Sequence, residues 1–385
     1  MEGFNLNRRL LSFTTYLGYF FIGIVSFIIS PTLPVIIKDF GISVGIAGSI
    51  FTASALGGFV GAILGGFLSD LLGRKPLIIV GCILQFVGFA ATALTQNWFL
   101  ILMFFLMTSL GRGFISICFN ALISDINPDR RGAAFNTLHG IYGIGNLIGP
   151  MITGFILSRS YDWRVVYYGA AALWLGFMLI TIPIKYPSTD YVRDNTSRES
   201  KEKLFPKSLI VNPILIILFM VSFIYNGSAT GLVGWINTHL DWMDFSILLG
   251  AGMVSIFYIG LTLGRFICRF VSEQIGYSKI ILLCALGSLI FYPFAIYSRS
   301  PFLITVGVVG SGLFLSGLHP TGLASANSLF PTMSGTVTAL LSTAMSLGAM
   351  SLPWLIGVVA ESRNFRVGFS IGYISIAILV VISII

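Results

Sequence analysis

Two arginines, Arg112 and Arg265, fall inside long apolar runs of this 385-residue chain. A guanidinium offers five donors in a planar fork, so it can hold an anion or hydrogen-bond a neutral solute. Placed at the centre of a bilayer it costs about 2.5–3.5 kcal/mol, so each arginine needs a cavity or a partner. Arg265 stands eight residues before Glu273, about 12 Å from that helix end by helical rise. The rival role is snorkelling, or pairing with backbone carbonyls between helices. Arg269, one turn from the end, reads as structural. His139 and Tyr142 lie one turn apart on a shared helix face, able to touch a solute or to close an interhelical hydrogen bond. His319 sits beside Pro320, and Asn120, Asn226 and Asn327 are amides in apolar surroundings that can bind a hydroxyl or another helix. Trp235 reads either as an interface anchor or as a stacking platform. Tyr16, Tyr19 and Phe20 could line a cavity, although an aromatic helix face often serves packing alone.

What is missing narrows the chemistry. All fourteen acidic residues can be placed in loops or at the ends of apolar runs. Proton coupling through a membrane needs a titratable group in the pathway. That leaves His139 and His319 as carriers, or no proton coupling at all. No Ser/His/Asp constellation, metal-ligand spacing or phosphate-binding loop occurs, so neither an enzyme nor a metal or other cofactor is expected. His239 near Asp241 reads as a solvated loop pair. Cys82, Cys118, Cys268 and Cys284 all fall in apolar runs without C-x-x-C spacing and read as small core residues.

The elements that must position these groups are membrane helices. The chain is 56% hydrophobic and 9% charged, whereas a soluble domain carries about 25% charged residues. Twelve apolar runs, from 10–37 to 366–385, are long enough to span a bilayer. The first, after Arg8 and Arg9, is too long for a signal peptide and lacks a cleavage pattern, so it is span 1. An even number of spans puts both termini on one side. Of 22 basic residues, Arg112 and Arg265 lie within spans, and Lys38, Arg159, Arg164, Arg299, Arg363 and Arg366 fall on the loops opposite the termini. The remaining fourteen fall on the terminal side, which makes that side cytoplasmic. The net charge of +8 is thus a topology signal, and no nucleic-acid surface is expected. The one long hydrophilic segment is a solvated linker over 187–208. It separates an N-terminal bundle of six spans, 1–186, from a C-terminal one, 209–385.

The two bundles repeat at an offset of 203 residues. Gly57 recurs as Gly260, Gly61 as Gly264, Asp70 as Glu273, Gly73 as Gly276, Pro128 as Pro331, Gly145 as Gly348, Pro150 as Pro353 and Gly154 as Gly357. Six spans per unit makes the repeat parallel, about an axis along the membrane normal.

The turn between spans 2 and 3 reads Gly65-Gly66-Phe67-Leu68-Ser69-Asp70-Leu71-Leu72-Gly73-Arg74-Lys75. Its pattern resembles the signature loop of the major facilitator superfamily. Gly145-x-x-x-Gly149-Pro150-x-x-Thr153-Gly154 in span 5 resembles the superfamily's helix-5 motif, with Thr153 where a glycine is usual. Its content is close packing and a kink. Tyr225-Asn226-Gly227, Gly260-Leu261-Thr262-Leu263-Gly264-Arg265 and Phe135-Asn136-Thr137-Leu138-His139 resemble the fucose-permease-like branch of sugar transporters. That resemblance implies that His139, Tyr142 and Asn120 line the cavity. The superfamily resemblance implies that Asp70, Gly73, Arg74 and Lys75, with Glu273 opposite, form a cytoplasmic latch. Two departures stand out. Ala229 occupies the branch's span-7 glutamate position, and Ser116 occupies the acidic proton-carrier position of span 4.

The expected fold is an all-α membrane protein of twelve transmembrane helices in two pseudo-symmetric six-helix bundles. The expected function is secondary transport of a small solute, a sugar or related polar metabolite, by rocking alternating access. Asn120, His139, Tyr142, Asn226, Arg265, His319 and Arg112 are the substrate-binding candidates. The alternatives are an organic-anion carrier using Arg265 and Arg112, or a drug/proton antiporter. The partners are the solute and the bilayer, with a coupling proton or cation left open. A monomer in the plasma (inner) membrane, with both termini cytoplasmic, is expected.

Overall fold

A computed structural model describes residues 2–186 and 212–384, with the side chains of residues 2–7, 129, 132, 269, 272, 273 and 332 excepted. The expected linker, 187–208, and the side chain of Glu273 therefore lie outside the described residues. Among the described residues the secondary structure is entirely helical, and twelve spans are long and apolar enough to cross a membrane.

Ten spans are single α-helices: α3 (Val44–Leu72), α4 (Arg74–Leu94), α5 (Trp98–Ile126), α6 (Arg131–Ser158), α7 (Arg164–Thr181), α8 (Pro213–Trp242), α9 (Ile247–Ile275), α10 (Tyr277–Tyr297), α13 (Ser334–Ser362) and α14 (Phe365–Ile382). Spans 1 and 10 are each broken, into α1 (Glu2–Ser26) with α2 (Ile29–Phe40), and α11 (Pro301–Leu315) with α12 (Leu318–Leu329). Their continuity was expected, and proline explains the breaks. A proline lacks an N–H and clashes with the carbonyl four residues back. Pro31 acts in this way on Phe27, and Pro320 on Ser316, which is where the two spans break. Helix starts are set by side chains as well. Asn97 and Asn212 each accept from the backbone N–H groups two and three residues on, and Asn364 accepts from Val367.

The repeat is carried in the packing. Gly57 lets α3 lie against the Leu106 carbonyl of α5, and Gly260 does the same for α9 at the Val309 carbonyl, 203 residues on. Gly61 faces the Leu110 carbonyl as Gly264 faces that of Leu313, and Gly145 faces the Phe20 carbonyl as Gly348 faces that of Phe223. Only a hydrogen fits at such contacts, which is how small residues join helices in lipid. Gly73 and Gly276 carry the turns at φ 85° and 88°, where a side chain would be strained.

The helices pack as two compact units. One comprises Met1–Ile28, Ala53–Gly149 and Tyr161–Lys203, with the rings of Trp163, Tyr167, Trp174 and Phe177 at its core. The other comprises Ile29–Thr52, Pro150–Ser160 and Leu204–Ile385, around Trp235, Phe257, Tyr292 and Phe369. The units are not the two repeats: α2, the first turns of α3 and the last turns of α6 pack with helices of the second repeat. Large apolar side chains such as Ile63, Phe67, Phe155, Phe266, Phe270 and Ile290 are exposed. A soluble monomer would not carry such a belt, and a lipid-facing one does.

Candidate functional site

In the first unit the polar residues gather around Tyr19 of α1. The Asn120 amide of α5 donates to the Tyr19 hydroxyl at 2.6 Å, and Ser116 lies beside that hydroxyl. The rings of His139 and Tyr142 of α6 meet the Tyr19 ring edge-on at 5.7 and 6.3 Å. Phe135 stacks on His139 at 6.4 Å, and the Tyr142 hydroxyl reaches Ser26 at 3.4 Å. Asn120 Oδ1 is buried and has no hydrogen-bond partner among the described residues. His139 is exposed eight residues into a membrane helix, and an imidazole at that depth faces water rather than lipid. Arg112 is half-buried and stands apart, with Nη2 against Gly58 of α3.

The second unit holds a matching group. His319 stacks on Tyr225 of α8 at 6.0 Å and an interplanar angle of 7°. Its Nδ1 lies 3.2 Å from Ser222 Oγ. Arg265 of α9 donates weakly to the Tyr225 hydroxyl at 3.5 Å. Arg265 is also exposed ten residues before the end of α9, and the cost of a guanidinium in hydrocarbon places it on water. Asn226 is a strut: its amide donates to the Met345 carbonyl of α13 at 2.9 Å. The two groups are related by the repeat. The Tyr19–Ser116 contact joins spans 1 and 4, and 203 residues on Ser222 and His319 join spans 7 and 10.

At the Gly73 turn, Asp70 is exposed. Arg74 pairs with Asp125 at the end of α5 at 2.5 Å, and Lys75 donates to the Ile182 carbonyl at 2.6 Å. Asp125 went unremarked in the sequence, where only its place at a helix end could have signalled it. Gly145 and Gly149 hold α6 against the Phe20 and Ile24 carbonyls, Pro150 lies within α6, and Gly154 meets Ala251. A cleft of about 570 Å³ opens at the start of span 1, lined by Arg8, Arg9, Ser12, Phe13, Tyr16 and Asn127.

The opposite end of the helices carries a set of contacts that sequence reasoning did not find. The Glu361 carboxylate of α13 accepts from the Gly45 N–H at 2.9 Å and the Ser43 hydroxyl at 2.8 Å, capping the start of α3. Lys38 pairs with Asp241 at 2.8 Å, Ser30 donates to the Val233 carbonyl at 2.5 Å, and Thr52 donates to the Met350 carbonyl at 2.7 Å. Lys38 and Asp241 are 203 residues apart, and so are Ser30 and Val233. Residues one repeat apart can touch only on the pseudo-twofold axis, so α2 and α8 meet there. The signal was available as opposite charges at the repeat offset.

Two readings of this region are corrected. Trp235 is neither an interface anchor nor a free platform. It is fully buried, donates to the Pro353 carbonyl at 2.7 Å and meets Phe51 edge-on at 5.4 Å. His239 is not a solvated loop residue. Because α8 continues to Trp242, His239 stays within the helix, buried between Trp242 and Phe369, with Nε2 2.8 Å from the Ile296 carbonyl.

The protein-family description of the Major Facilitator Superfamily matches residues 15–276 and 246–385. The chain belongs to the Major Facilitator Superfamily. The cis,cis-muconate transport protein of Acinetobacter baylyi is 25% identical to it over 358 residues, 89% of this chain and 85% of that one. The fold matches the crystal structure of nucleoside transporter NupG with a TM-score of 0.78, at 16% identity over 98% of this chain and 97% of that one. It matches that of a D-xylose-proton symporter with a TM-score of 0.75, at 16% identity over 96% of each chain. Like other members of the superfamily, the protein is a secondary transporter of a small solute and not an enzyme.

Proposed function

We propose that the solute is a neutral polyhydroxylated molecule of hexose size, or a closely related polar metabolite, moved by rocking alternating access. The observation that carries this reading is the Asn120 carbonyl oxygen, left without a partner beside Tyr19, His139 and Tyr142. A buried acceptor that lacks a partner costs about 1–3 kcal/mol. A solute hydroxyl would remove that cost, and the rings around it suit the apolar face of a sugar. In the second unit, His319, Tyr225 and Arg265 form a polar group of their own that can donate to a solute hydroxyl. The Glu361 and Lys38 contacts tie the helix ends on one side together, and the Asp70–Lys75 turn acts as the latch on the cytoplasmic side. The protein works as a monomer in the plasma membrane with both termini cytoplasmic. His139 or His319 carries the proton if transport is proton-coupled.

A second reading, an organic-anion carrier, is favoured by one observation: the exposed Arg265 has a neutral phenol as its hydrogen-bond partner. The muconate transport protein among the relatives gives it weight. A drug/proton antiporter fits less well, because every described acidic side chain lies at a span end or in a loop.

Thermal unfolding of the purified protein against hexoses, small carboxylates and lipophilic cations separates these. Stabilisation by a hexose, lost in His139→Ala and Asn120→Ala, is expected. Stabilisation by carboxylates alone, lost in Arg265→Ala, would make the protein an anion carrier.

A further inference from the structure

The break in span 10 rests on a pair of thiols that the transport function does not use. Cys268 of α9 and Cys284 of α10 bring their sulfurs to the same point in the fold. Both sulfurs press on Gly317, 2.5 and 2.7 Å from where a Cβ would stand, so a side chain there would displace them. Cys284 is buried, while Cys268 is half-exposed. In the first repeat the same three positions are Gly65, Gly81 and Phe114, with the Phe114 ring 3.3 Å from where a Cβ on Gly65 would stand. The second repeat has moved the volume: the glycine is on span 10, and two sulfurs replace the ring. Packing would be served by Ala or Ser at either site, but only two cysteines bring reactive groups into contact at the elbow. The elbow is close to the polar group already described. Gly317 is two residues from His319, and Cys268 is one turn beyond Arg265.

We infer that Cys268 and Cys284 form a reversible disulfide, closed by a low-molecular-weight disulfide such as oxidised glutathione, that ties spans 8 and 9 together beneath the elbow of span 10. The thiolate of half-exposed Cys268 attacks one sulfur of the small disulfide, giving a mixed disulfide and releasing one small thiol. Cys284 then attacks Cys268 Sγ and releases the second small thiol. Two protein thiols give up two electrons and two protons, and the small disulfide becomes two thiols. The order follows from access, since an attacking thiol must meet the oxidant in solution and a resolving thiol need only meet its neighbour.

The test is oxidation of the purified full chain with oxidised glutathione, followed by non-reducing peptide mapping and intact mass. The expected product carries no glutathione, is lighter by about 2 Da for the two hydrogens lost, joins the Cys268 and Cys284 peptides and reverts with dithiothreitol. Cys284→Ser should trap one glutathione on Cys268, and Cys268→Ser should leave Cys284 unmodified. Both substitutions are small enough to keep the fold, and monodispersity on size exclusion checks that they do. A wild-type protein that keeps glutathione on Cys268, or whose two thiols stay fully alkylatable after oxidation, would overturn the inference.

Discussion

Replacing Glu361 by Gln should weaken the contact between the end of α13 and the start of α3. The carboxylate accepts two hydrogen bonds, from Gly45 N–H and Ser43 Oγ, at the start of α3. Bonds to a charged group contribute about 1.5–3 kcal/mol in favourable settings, against about 0.5–1.5 for neutral ones. The charge at a helix N-terminus adds about 0.3–1 kcal/mol. Glu361 is exposed, so solvent screens both effects. The amide keeps one acceptor, and the net loss is about 1 kcal/mol, roughly a fivefold rise in the population open at this end. Ala47, fully buried in the first turn of α3, supplies the reporter. An Ala47→Cys variant should react with a membrane-impermeant maleimide only when that end opens. Adding Glu361→Gln should speed labelling roughly fivefold, since labelling follows the open population when reclosing is fast. Raised salt should shrink the difference. An unchanged rate in Glu361→Gln, with Ala47→Cys still protected, would refute a clamp at this position.

Other consequences follow from the same contacts. Gly348→Val should drive its side chain into the Phe223 carbonyl, and Gly145→Val into that of Phe20, each costing about 1–3 kcal/mol from overpacking and lowering the monodisperse yield on size exclusion. Trp235→Phe keeps the packing against Phe51 but loses the indole bond to the Pro353 carbonyl, so the melting temperature should fall by the equivalent of about 0.5–1.5 kcal/mol. Arg74→Gln and Asp125→Asn should not be additive in a double-mutant cycle on thermal stability, with a coupling of about 0.5–3 kcal/mol. Asp70→Asn should slow transport without removing solute binding, and loss of binding in a folded protein would count against its role in the turn.

Much of the architecture was legible because lipid imposes it. Apolar runs of spanning length, the 203-residue offset and the turn glycines required no tertiary information, and Gly73 and Gly276 have nearly the same φ for that reason. The breaks in spans 1 and 10 were also readable from Pro31 and Pro320, but a hydropathy pattern smooths over one missing hydrogen bond. The functional residues were harder to place. Asn120, His139 and Tyr142 converge on Tyr19, a residue whose helix face reads equally well as packing. Asn226 was chosen as a polar group in an apolar run, yet its amide ties two helices together. Trp235 and His239 were misread because distance from a helix end does not reveal what covers a side chain. Glu361 drew no notice because a carboxylate at a membrane helix end is ordinary until its partner, the start of another helix, is known.

The most direct test of the sugar assignment is counterflow in proteoliposomes, with unlabelled hexose inside and trace labelled hexose outside. Transient accumulation of label that disappears in His139→Ala and persists in Cys82→Ser is the predicted result. No counterflow with any hexose, but counterflow of a small dicarboxylate abolished by Arg265→Ala, would contradict it.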